Sequence, residues 1–298
     1  MRIGITGASG LIGSALKESL SARNDQVVIF SRNLEGASSS DVVRWDPARN
    51  ILDEADLSHV GELDAIIHLA GAGIGDKRWN QRRKNEILAS RVNSTALLAE
   101  AFTGRVGFFA SGSAIGIYGS RGDEVLTEDS SYGNDFLAQV CIEWEAKTKS
   151  LETSGVPVAH LRTGIVQSTQ GGALAKQLPL FRYGLGGKLG AGHQWLSPIS
   201  IHDEVRAILH IIDNKLSGPV NLVCPNPLTN ADFTAQLAHF LHRPAFANAP
   251  KAALSLALGR EMAESLLLIS QRITPNRLIE SGFEFKASNF QEILKSIL

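Results

Sequence analysis

Short apolar runs of strand length alternate with longer stretches of helical spacing along the first part of the chain. Arg2 to Thr6 and Gln26 to Ser31 are such runs, and a helical segment from Leu11 to Ala22 lies between them. Val42 to Trp45, Asp64 to Leu69, Val106 to Ser111 and Val158 to Leu161 read as the third to sixth strands. A long helical pattern over Gln81 to Phe102 separates the fourth from the fifth. Alternation of this kind predicts a parallel sheet with right-handed crossovers. Ala65-Ile66-Ile67 is unbroken by polar residues, as expected of a strand covered on both faces.

Beyond Gly164 the texture changes. Gln170 to Gly172, Gly184 to Gly187 and Gly190 to Ser197 read as loops. Helical patterns lie near Ala173 to Phe181 and from the Ile199–Glu204 segment to about Asn214. Pro219 to Val223 reads as a late strand, and residues 230–298 as mainly helical. No internal repeat or low-complexity segment interrupts the chain. The expectation is an α/β fold, a Rossmann doubly wound parallel sheet with a smaller C-terminal lobe. Residues 1–164 form its nucleotide-binding domain and 165–298 a mixed substrate lobe, with some late elements returning to the sheet.

Composition narrows the classes of function. The 298 residues carry 29 Lys plus Arg against 30 Asp plus Glu, a net charge of -1. That balance argues against coating nucleic acid, which needs a surplus of cations. Two cysteines, Cys141 and Cys224, are too few for a disulfide framework or a four-thiolate zinc site, so no metal is expected. No run of about 20 apolar residues exists to span a membrane. Gly4, Gly7, Gly10 and Gly13 break the apolar N-terminus, against a signal peptide. A cytoplasmic protein with a small-molecule substrate, and neither a nucleic-acid nor a membrane partner, is expected.

The strongest local signal is Thr6-Gly7-Ala8-Ser9-Gly10-Leu11-Ile12-Gly13, directly after the first strand. Gly7 permits the turn, Gly10 admits a pyrophosphate close to the backbone, and Gly13 packs helix on strand. The helix start at Leu11 and Ile12 then offers N–H groups to phosphate. Its spacing is G-x-x-G-x-x-G, not the commoner G-x-G-x-x-G. The second strand ends in Ser31-Arg32, where a cation suits the 2′-phosphate of NADP better than the 2′-hydroxyl of NAD. His68-Leu69-Ala70-Gly71 ends the fourth strand on the ligand-binding edge of such a sheet. Glu86 and Arg91 on the following helix complete the neighbourhood, with Ser111 and Ile165 at later strand ends.

These residues resemble the extended short-chain dehydrogenase/reductase superfamily, the NAD-dependent epimerase/dehydratase group. Val92-Asn93-Ser94-Thr95, the serine segment running to Tyr118-Gly119, and Ile201-His202-Asp203-Glu204 match its landmarks. More narrowly, the chain is similar to the YfcH-type branch of sugar-nucleotide epimerase-like proteins. Asp76-Lys77-Arg78-Trp79, Cys141-Ile142-Glu143-Trp144-Glu145, Gly184-Leu185-Gly186-Gly187, Gln271-Arg272 and Pro275-Asn276-Arg277-Leu278 carry that match. The resemblance implies NADP as cofactor, and a monomer or a homodimer.

It also implies hydride transfer, with a serine at the substrate oxygen and a Tyr-x-x-x-Lys helix as acid/base. Ser113 matches the serine. The pair is missing, because four residues beyond Tyr118, Tyr132 and Tyr183 stand Gly122, Phe136 and Gly187. Aligned on Glu145, the lysine position is Cys141 and the tyrosine position Leu137. Three readings follow: an oxidoreductase or epimerase acting on a polar carbonyl or alcohol substrate such as a nucleotide sugar, using Ser113 with Tyr118, Tyr132 or Cys141; an NADPH-binding sensor or interaction module; or a lyase or reductase using His193 or His202. Gly190 to Trp195 is a candidate substrate loop, and Arg162 and Arg182 are candidate clamps for an anionic substrate.

Overall fold

In the computed structural model, which describes residues 1–32 and 41–298, the apolar runs assemble into one eight-stranded sheet. Its first six strands in chain order are β1 (Arg2–Thr6), β2 (Gln26–Ser31), β3 (Val42–Asp46), β4 (Ile51–Leu52), β5 (Ala65–His68) and β6 (Phe109–Ala114). Two later strands, Val158–Thr163 and Gly218–Leu222, extend it beyond β6. The order across the sheet is Gly218–Leu222, Val158–Thr163, β6, β5, β1, β2, β3, β4. All neighbours run parallel except the short β4, antiparallel to β3. Every residue of β5 is buried, because helices cover both faces of the sheet.

Helix α1 (Leu11–Ala22) puts Leu16 and Leu20, one turn apart, into the core on one face. There they meet Val205, Ile208 and Ile212 of the helix Ile201–Asp213. On the opposite face α2 (Glu54–Val60) and α3 (Gln81–Phe102) contribute Leu57, Val60, Leu98 and Phe102. Asn80 caps α3 through the Arg83 N–H, and Ser200 caps the helix Ile201–Asp213 through the Asp203 N–H. The buried Asp203 carboxylate then accepts the Lys286 and Ala287 N–H groups at 3.0 and 2.9 Å, fastening the C-terminal segment. That is the physical use of the Ile-His-Asp-Glu landmark.

A smaller core lies beside the sheet, where Phe181, Phe233 and Phe290 gather, the last two stacked at 4.4 Å. The late strand Gly218–Leu222 and the helix Ile201–Asp213 belong to the main sheet and its cover. The fifth strand is placed differently from its sequence reading. It covers Phe109–Ala114, not Val106 to Ser111, and Val106 keeps only an isolated bridge to Leu63. Gly112, Ser113 and Ala114 are poor strand formers alone, but they pair with Leu161, Arg162 and Thr163. Among the described residues, no helix is long and apolar enough to cross a membrane.

Candidate active site

The parallel strands all end on one edge, and a cavity of about 420 Å³ opens there. Its floor is the turn after β1. Gly7 has φ +70, a left-handed conformation that glycine takes without strain. A Cβ on Gly13 would stand 2.2 Å from the Gly7 carbonyl oxygen, so only glycine lets α1 leave the strand this closely. Unlike α3, α1 has no side-chain cap at its Gly10 N-cap from any of the described residues. The first helical hydrogen bond runs from Ser14 N–H to Gly10, and Leu11, Ile12 and Gly13 line the cavity. An uncapped helix start with no Cβ at its lip fits a phosphate. Ser31 ends the neighbouring β2 and Arg32 follows it, exposed. Residues 33–40 lie outside the described part of the chain.

His68 and Thr6 are register partners at the ends of β5 and β1. Thr6 Oγ1 accepts the Leu69 and Ala70 N–H groups at 3.1 and 3.2 Å, holding the chain segment after β5 against β1. Its own hydrogen is therefore free for His68 Nδ1 at 2.7 Å. His68 Nε2 faces Ser94 Oγ at 3.1 Å, whose hydrogen goes back to the Ser90 carbonyl at 2.7 Å. The network assigns a neutral imidazole protonated on Nε2. Burial, and then the charge of Arg91, push its pKa down to about 3. His68 holds the cavity edge and does not line the cavity.

A second polar network lies under β6. Ser113 lines the cavity, and its hydroxyl donates to Glu145 Oε1 at 2.6 Å. Glu145 comes from α4 (Phe136–Ala146) and is gripped by Arg162 through Nε at 2.9 Å and Nη2 at 3.0 Å. Burial raises the Glu145 pKa, but Arg162, His160 and Ser113 outweigh it, leaving the carboxyl below its usual range. Arg162 Nη1 also donates to Tyr118 Oη and the Glu128 carbonyl, and Tyr118 donates on to Asn221 Oδ1 at 2.7 Å.

Of the residues singled out in the sequence, the glycine turn, Leu11, Ile12, Leu69, Arg91, Ser113, Cys141 and Ile165 come together around this cavity. Tyr118 does not. It is fully buried in the Arg162 network, and burial pushes its phenol up to about 12. Cys141 does reach the cavity, but burial and then nearby Glu145 push its thiol up to about 12. Arg91 packs 5.1 Å from the Trp144 ring and donates to the Ala72 and Ile87 carbonyls. Glu86 is exposed and pairs with Arg83 at 2.8 Å, a contact that holds its carboxyl below the usual range. Ser111 is buried on its strand, Ala70 is half-buried and Gly71 exposed; none of the three lines the cavity.

The expected anion clamp is not formed, since Arg162 gives all three of its nitrogens to neighbours inside the protein. Arg182 ends the helix Gly172–Arg182 and is exposed away from the cavity. The Gly190–Trp195 segment also stays outside. Gln194 donates to the Leu189 and Leu267 carbonyls, Trp195 to Asp123, and His193 is exposed. His202 is exposed on the first turn of its helix, and Tyr132 lies half exposed at the rim of the Arg162 network. Sequence reading missed Thr6, and it missed Leu266, Ile269 and Gln271, which form the far wall. Gln271 stitches that wall to the Ile115 and Gly119 carbonyls. The Gln271-Arg272 landmark was the available signal. Among the described residues no cluster of His, Cys, Asp or Glu is placed to hold a metal.

Comparison with known proteins agrees with this geometry. Residues 3–223 match the NAD dependent epimerase/dehydratase family, and residues 249–297 match DUF1731, a domain of unknown function. An epimerase family protein of Mycobacterium bovis is 40% identical over 98% of this chain and 96% of its own. The epimerase family protein YfhF of Bacillus subtilis is 33% identical over 100% of this chain and 98% of its own. Among solved structures, a human epimerase family protein, SDR39U1, crystallised with NADPH, superposes with a TM-score of 0.89 at 30% identity. That match covers 100% of this chain and 99% of the human one.

Proposed function

The chain belongs to the NAD dependent epimerase/dehydratase family, and from that premise we propose that it binds NADPH and acts on a small alcohol or carbonyl substrate. The reaction is NADP-dependent oxidoreduction or epimerisation. The observation that carries this reading is the glycine cradle, in which the uncapped start of α1 opens into the cavity and Gly13 has no room for a Cβ. Gly7, Gly10 and the N–H groups of Leu11 to Gly13 would hold the pyrophosphate, and Arg32 the 2′-phosphate. The human relative crystallised with NADPH supports the same choice of cofactor. When bound, the nicotinamide supplies or takes a hydride. Ser113 binds the reacting group, and the apolar wall keeps water away.

One observation favours a second reading, an NADPH-binding sensor without turnover. Leu137 and Cys141 stand where the family keeps its tyrosine and lysine, and Cys141 stays a neutral thiol at physiological pH. Paired titrations with NADPH and NADH test the cofactor. NADPH binds tighter, and Arg32→Ala loses about tenfold or more for NADPH, a change of about 1.4 kcal/mol, while leaving NADH unchanged. Tighter binding of NADH would overturn the assignment. NADPH loss or NADP⁺ reduction across a metabolite panel then separates the enzyme from the sensor.

A further inference from the structure

We propose that Ser113 meets its ligand as a hydrogen-bond acceptor, and that the cavity takes a compound with an apolar body and a hydroxyl or amine hydrogen aimed at Ser113 Oγ. The inference rests on the reading of this cavity as the substrate site beside the NADPH cradle. A serine hydroxyl has one hydrogen and two lone pairs. Here the hydrogen is committed to Glu145 Oε1 at 2.6 Å.

Glu145 is held as a carboxylate by geometry. Arg162 reaches both of its oxygens, at 2.9 and 3.0 Å, and is itself 1% exposed on the neighbouring strand. Two further titratable groups lie near Glu145: His160, 3.8 Å from Oε2 and tied to Thr148 at 2.9 Å, and Cys141 on the same helix, whose thiol burial and then the Glu145 charge keep protonated. A carboxylate accepts only, so Ser113 has no choice of direction. What it turns to the cavity is lone pairs. A ketone oxygen placed there meets another acceptor, whereas an alcohol or amine completes the chain.

The rest of the wall sets the body of the ligand. Ile74, Ile115, Leu137, Val140, Leu266 and Ile269 line the same cavity as Ser113. Arg91 is the sole charged side chain lining the cavity among the described residues, and two of its hydrogen bonds go to main-chain carbonyls. A nucleoside diphosphate carried by the substrate would bring two further phosphates with no second cation to meet them. An apolar alcohol leaves no such charge unpaired.

The test uses full-length protein saturated with NADP⁺ and two probes that cannot react in that state. These are 2-phenyl-2-propanol, a tertiary alcohol with no carbinol hydrogen, and acetophenone, with UDP-glucose as a third probe. Calorimetry or ligand-observed NMR measures binding, and cofactor binding is titrated on the same samples. The alcohol binds about tenfold tighter than the ketone and tighter than UDP-glucose, and Ser113→Ala brings the alcohol-to-ketone ratio within about twofold. The wild-type ratio stands by itself should the variant fail to fold. A ketone bound equally well, tighter binding of UDP-glucose, no binding of either apolar probe, or a ratio unchanged in S113A overturns the proposal. Failure of NADP⁺ or NADPH to bind strikes instead at the cofactor reading on which it rests.

Discussion

Thr6 donates to His68 Nδ1 across 2.7 Å, joining the last residues of two neighbouring strands at the rim of the cavity. The same threonine oxygen accepts two main-chain N–H groups of the chain after β5, so the imidazole fixes the rim through Thr6. An imidazolium would present a donor on both nitrogens and break that arrangement.

His68 should therefore stay neutral, protonated on Nε2, throughout the range from pH 8 to pH 5. Its folded pKa of about 3 lies below the unfolded value of 6.5. Below pH 6.5 the unfolded chain takes up a proton that the folded chain refuses. Stability from this group is whole above pH 6.5 and falls as the pH drops toward 3, by about 2 kcal/mol at pH 5. Imidazole ¹⁵N shifts check the first point, and a titration near pH 6.5 in the folded protein would contradict it.

Two glycines of the cradle are expected to separate folding from binding. In Gly13→Ala the new Cβ lies 2.2 Å from the Gly7 carbonyl oxygen and 2.9 Å from Ala8 Cα, so the turn must move. A loss of about 1–3 kcal/mol or more is expected, with NADPH binding lost too. Gly10 has φ -76 and ψ 172, open to any residue, and its Cβ would stand 3.3 Å from the Gly7 oxygen. Gly10→Ala should melt within a few degrees of wild type yet bind NADPH about tenfold more weakly. Thermal melts beside cofactor titrations decide between these outcomes.

Tyr118→Phe removes the hydroxyl that joins Arg162 to Asn221. The expected result is a loss of about 1–3 kcal/mol in stability from two partly unsatisfied buried groups. NADPH affinity should stay within about twofold, because the ring does not line the cavity. A variant of unchanged stability that has lost turnover would instead place the phenol in the chemistry.

Glu204 is fully buried; one carboxyl oxygen accepts from Thr163 at 2.8 Å and the other has no partner among the described residues. Burial, only partly opposed by the Thr163 hydrogen bond, raises its pKa to about 8. Between its unfolded value of 4.5 and pH 8 the folded chain holds the proton more tightly, so stability declines as pH rises through that window. Glu204→Gln should flatten this decline and gain stability at pH 8, on the order of a few kcal/mol. Denaturant unfolding at pH 5 and pH 8 measures the difference. An unchanged pH dependence in the variant would remove Glu204 from the account.

The parallel sheet, its crossovers and the glycine turn were legible in the sequence because each rests on local regularities. Strand-length apolar runs, helical spacing and glycines three apart need no partner to be recognised. The absence of any Tyr-x-x-x-Lys was equally plain. Which side chain serves which site was decided only in three dimensions. Arg162 looked like a cation for a substrate until the fold placed Glu145, seventeen residues away in sequence, against it. Tyr118 stood beside the serine segment but turned into the same buried network. Leu266, Ile269 and Gln271 reached the cavity from the far end of the chain. The direction of the Ser113 hydrogen depends on a carboxylate, the carboxylate on an arginine, and the arginine on burial. Burial comes from long-range packing, and no window of neighbouring residues contains it.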